Sequence, residues 1–181
     1  MTRFPFNIGL CGAILAAGLS APAFAKGGAA GCDAFGAALS ANASELAITL
    51  NHAIVVSRAE TNANVFDIST NGDVDGTLAC SGDRLARFDA RVTEPASERA
   101  KSNFAKLSEA ALRAALGIDA ARAHAAFKRL DGEAGEYLRA SRERGDVYIS
   151  GKTEEHLPGG ISLGVIETDT DRAFVIVGQG G

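Results

Sequence analysis

Three histidines, His52, His124 and His156, and the cysteines Cys32 and Cys80 are the side chains of this chain best suited to acid–base, metal or thiol chemistry. Zinc sites draw on three or four ligands, often with a close histidine pair on one helix face. None of the three histidines has another near it in sequence. His52 falls on the apolar side of an alternating run, Leu46, Ile48, Leu50, Ile54 and Val56, where a core or edge histidine is favoured over a ligand. Glu154-Glu155-His156 precedes Leu157-Pro158-Gly159-Gly160, and a Glu/His pair there could serve as acid and base. Charged hairpin loops are ordinary, however. His52, Glu154, Glu155 and His156 are therefore residues to follow as binding candidates, and none is assigned a catalytic role. No metal and no cofactor are expected.

Other motifs match by letter and fail by context. Asp73-Val74-Asp75-Gly76 resembles the opening of a calcium loop, but a strand follows where the bidentate glutamate should stand. A hairpin turn is the favoured reading. Gly27-Gly28-Ala29-Ala30-Gly31 is glycine-rich without a preceding strand, so a phosphate cradle is not expected. Arg144-Gly145-Asp146 spells an integrin tripeptide at a helix-to-strand junction that needs its glycine in any case.

The N-terminus has the three parts of an export signal. Arg3 gives a positive start, Ile8 to Leu19 an apolar run, and Ala23 and Ala25 the small-x-small cleavage pattern. The run is too short to cross a bilayer of about 30 Å. Residues 1–25 are therefore expected to be a cleaved signal peptide, and the mature protein is expected to be periplasmic or extracellular rather than integral to a membrane. Cys11 leaves with the signal. Cys32 and Cys80 remain as an even pair bound for an oxidising compartment, and they are expected to form a disulfide. The competing reading is a degenerate lipobox, Ala29-Ala30-Gly31-Cys32, with Cys32 lipidated. Ala29 stands where leucine is usual, and Lys26-Gly27-Gly28 separates the motif from the apolar run.

The elements that must position these residues follow from periodicity. Residues 26–44 are small and polar and read as a flexible arm tethered by the disulfide. Residues 45–181 read as one domain. Alternation predicts a strand from Glu45 to Ser57, then Val65 to Thr70, Val74 to Cys80 and Arg84 to Thr93, joined by short turns into an antiparallel meander. The period then becomes helical. Pro95 is read as opening a helix that Gly117 ends, and Asp119 as capping a second that Gly145 ends, with a kink near Asp131 beside Gly132 and Gly135. Strands return over Val147 to Ser150, Ile161 to Ile166 and Ala173 to Val177, the last apolar on both faces and so expected mid-sheet. Four strands, two helices and three strands make an α+β fold, an antiparallel sheet with both helices on one face.

The formal net charge is −4, or −5 once Arg3 is removed, which argues against nucleic acid as a partner. The absence of tryptophan leaves few aromatic platforms. The function expected is a non-enzymatic envelope module that binds an unidentified ligand or protein. The alternatives are a small hydrolase-like or metal-dependent enzyme using His52 or His156 with nearby carboxylates, and an inhibitor or chaperone-like factor.

Overall fold

A computed structural model describes residues 31–58, 63–71 and 73–178, with the backbone alone at 52–58 and 63. The expected signal peptide and most of the glycine-rich stretch lie outside the described residues. The chain runs α1 (Cys32–Glu45), β1 (Asn51–Arg58), β2 (Ala63–Thr70), β3 (Val74–Ser81), β4 (Arg84–Thr93), α2 (Glu98–Leu116), α3 (Ala120–Arg144), β5 (Ser150–Lys152), β6 (Glu155–Leu157), β7 (Ile161–Thr168) and β8 (Asp171–Val177). The protein is α+β. All strand pairs are antiparallel, in the order β1-β2-β3-β4-β8-β7-β5, with β6 also on β7. β5 and β6 keep one register along β7, from Ser150 opposite Thr168 to Leu157 opposite Ile161, so they act as one edge. The doubly apolar β8 lies inside the sheet, between β4 and β7.

Five expectations are corrected. The stretch expected to be an arm folds as α1, which runs through Glu45. Its alanines favour helix, and Cys32, Phe35, Leu39 and Ala43 recur at helical spacing and are buried. The first strand accordingly starts at Asn51, not Glu45, after Ala47 turns the chain with φ 59°. Pro95 does not open α2. Ser97 caps that helix, accepting a hydrogen bond from the Ala100 N–H at 3.1 Å. Val147 and Tyr148 are 92 % and 88 % exposed, ahead of a strand that begins only at Ser150. The remaining strands lie within two residues of their expected bounds, but the expected loop at Glu154 to Gly160 also holds a short strand, β6, so four strands and not three follow the helices. Asp119 caps α3 by accepting from the Arg122 N–H at 2.8 Å, and Gly117 and Gly145 end their helices.

All three helices lie on one face of the sheet. Phe35 of α1 packs on Phe88 of β4, and Phe104 of α2 meets Phe127 of α3, which meets Phe174 of β8. α3 is assigned as one helix through Gly132 and Gly135. At its foot a side chain on Gly151 would sit 1.9 Å from the Ala134 carbonyl oxygen, so only glycine lets β5 approach the helix this closely. The helical layer is asymmetric. α3 covers β7 and β5, α2 covers β4, and α1 is the outermost helix, cross-linked to β3 by the Cys32–Cys80 disulfide.

Candidate functional site

That asymmetry leaves a groove. Among the described residues no helix lies beyond α1, and the apolar side chains of β2 remain beside its flank. Cys32, Phe35 and Leu39 turn into the core, while Asp33, Gly36, Ala37 and Ser40, spaced three, one and three apart, line the neighbouring stripe. Phe66 and Ile68 of β2, Leu78 of β3 and Leu50 form the opposite wall, and the disulfide closes one end. The volume of the groove is about 360 Å³. A Cβ built on Gly36 would be 3.8 Å from the Leu78 Cδ2, so the glycine keeps the middle of the groove open. Asp33 is the one ionisable side chain among the described lining residues.

The histidines do not converge. The backbone register sets His52 opposite Ile68 on β1, one edge of the sheet, while His156 stands on β6 at the other edge. With neighbouring strands about 4.8 Å apart, the two lie roughly 29 Å from each other. His156 is exposed on the helix-free face. Its Nδ1 is 2.8 Å from the Ser162 Oγ and its Nε2 is 3.8 Å from the Glu154 Oε1. The hydrogen bond from Lys152 draws the Glu154 carboxyl below its ordinary range. Glu155 instead accepts from Arg129 of α3, and that bond raises the Arg129 pKa. His124 bonds Glu109 at 2.8 Å and joins α3 to α2.

No known family, curated protein or solved structure matches the chain. Chemistry has therefore to be read from the geometry.

Serine, histidine and glutamate in a row suggest acyl transfer, but the surroundings do not serve it. Ser162 stands within Gly160-Ile161-Ser162-Leu163-Gly164, but it lies on strand β7 and not at the sharp strand-to-helix turn that exposes a nucleophile in that motif. Among the described residues no three His, Cys, Asp or Glu side chains are placed to hold a metal ion. Asp73 accepts from Arg99 at 2.7 Å and from Asn103 at 3.4 Å, which ties the β2–β3 turn to α2. Arg144 donates to Asp146 at 2.7 Å, and Asp146 also accepts from Ser141 at 2.8 Å.

One charged cluster escaped the sequence reading. Arg172 of β8 faces Glu167 of β7 at 2.5 Å, Asp131 of α3 at 3.4 Å and Glu94 at 3.9 Å. Three carboxylates thus surround one guanidinium, under the helices. Glu94 Oε1, Asp131 Oδ1 and Glu167 Oε2 are buried without a hydrogen bond. Burial raises the Asp131 pKa, with Arg172 opposing and Glu167 and Glu94 reinforcing the shift. Burial also works against the charge on Arg172, but the Glu167 bond and the three negative charges outweigh it and raise its pKa. Nothing near in sequence marks these residues. Antiparallel pairing of Glu167 with Arg172 and the seating of α3 bring them together.

Proposed function

We propose that this chain is a non-enzymatic binding module, exported to the periplasm or beyond, whose α1 groove takes a small, largely apolar ligand. The observation that carries this reading is the open space between α1 and the β2–β3 wall. At about 360 Å³ it falls within the roughly 300–1,000 Å³ of small-molecule sites, and like them it is mostly apolar with few polar groups. The separation of His52 from His156 supports a binder over the hydrolase-like alternative. The disulfide is compatible with export, and among the described residues no helix is long and apolar enough to cross a membrane.

Titration with octanol followed by amide NMR tests the site. Resonances of Gly36, Ala37, Ile68 and Leu78 should move together and saturate. Gly36→Leu, which projects a branched chain into the groove, should weaken binding at least about tenfold by filling the space the ligand needs. Shifts scattered elsewhere, or unchanged affinity in a folded Gly36→Leu variant, would remove the groove from consideration.

A further inference from the structure

We infer that the groove selects an amphiphile with a cationic end, such as a primary alkyl amine, seated with its charge at Asp33 and its apolar body along α1. The inference rests on the groove reading above and adds the charge and dimensions of the ligand. Asp33 and Ser40 mark the two ends of the small-residue stripe, and between them lie only Gly36 and Ala37. Seven residues of helix rise about 10.5 Å, so the apolar stretch has the length of a medium alkyl chain. Leu50, Phe66, Ile68 and Leu78 give that chain an apolar wall. At one end stands a carboxylate, and among the described lining residues no lysine, arginine or histidine neutralises it. A ligand that brought a carboxylate or phosphate here would meet like charge on a largely apolar surface and be repelled. An ammonium would instead complete an ion pair that the protein leaves open.

Asp33 also has a structural use, since an acid in the first turn complements the positive end of the helix. The two roles separate in one experiment. Octylamine, octanol and octanoate share a chain and differ in charge at pH 7. They would be titrated at low salt into the intact protein and into Asp33→Asn, with Gly36 and Ala37 amide shifts as the readout. The amine should bind about three- to fivefold tighter than the alcohol, the range of a solvent-exposed ion pair. The octanoate should bind weakest, and added salt should compress the series. In Asp33→Asn the amine and the alcohol should bind alike, whatever the substitution does to stability. Equal affinity of amine and alcohol in the native protein would overturn the inference and leave the groove reading standing, as would an amine preference that survives Asp33→Asn. No response to any of the three would overturn both.

Discussion

Asp131 shows how one side chain can be held at a cost. Its neighbours Glu94 and Glu167 add negative charge around Arg172, and burial opposes ionisation further. A carboxyl whose pKa is raised by folding binds its proton more tightly in the native state. Stability is then gained as the pH falls towards the ordinary carboxylate range and lost as it rises past the raised value. Asp131→Asn keeps the shape and removes the charge. At pH 7 the variant should match or exceed the native protein by up to about 2 kcal/mol in urea unfolding, as when ill-compensated buried charges are replaced. The gap should narrow as the pH falls, because the raised pKa lets Asp131 take up its proton before an ordinary carboxyl does. A variant less stable at pH 7 would mean that the Arg172–Asp131 pair outweighs its desolvation. At this scale the groove leaves little trace in the sequence. Asp33, Gly36, Ala37 and Ser40 are small or polar, which resembles an arm when read one residue at a time. The buried stripe Cys32, Phe35, Leu39 and Ala43 was the legible signal for a helix there.

At the level of elements, α1 is the wall the site depends on, and three kinds of contact hold it. Phe35, Leu39 and Ala43 enter the core, Arg113 bonds Glu45 at 2.6 Å, and the disulfide fixes the first turn to β3. Replacing Cys32 and Cys80 with serine should therefore lower stability by about 2–5 kcal/mol while preserving the far-ultraviolet circular dichroism, because the first two kinds of contact remain. Octanol affinity should fall as well, since that end of the groove loses its clamp. Free thiols in the unreduced native protein, or a serine pair with undiminished stability, would contradict this. The meander, both long helices and their glycine ends were readable because period, caps and turns agree there. The late strands were harder. Val147 and Tyr148 have strand-forming side chains, yet Asp146 accepts from Ser141 at 2.8 Å and holds the preceding turn, and the pair is left exposed. The order of strands, with β8 between β4 and β7, depends on long-range pairing that local pattern does not encode.

For the molecule as a whole, the fate of Cys32 decides between two maturation routes. A thioether to lipid and a disulfide to Cys80 use the same sulfur, so the protein has one or the other. The bridge is formed here, with the Cα atoms 5.8 Å apart, and the Cys32 N–H donates to the Asp83 carbonyl at 2.5 Å. In a lipoprotein that nitrogen would be the chain's first atom, and Cys80, 4 % exposed in the core, would carry an unpaired thiol. Cleavage after Ala25 would avoid both outcomes. It would leave the described core intact, since its buried residues run from Cys32 to Ile176, and it would deliver both cysteines to a compartment where they can oxidise. Intact-mass measurement of the exported protein should therefore find a chain beginning at Lys26 and lighter by two hydrogens than its reduced form. A chain beginning at a lipidated Cys32, or one retaining residues 1–25, would refute this maturation route. With the lipidated form, the closed end of the groove would have to be rebuilt without its disulfide.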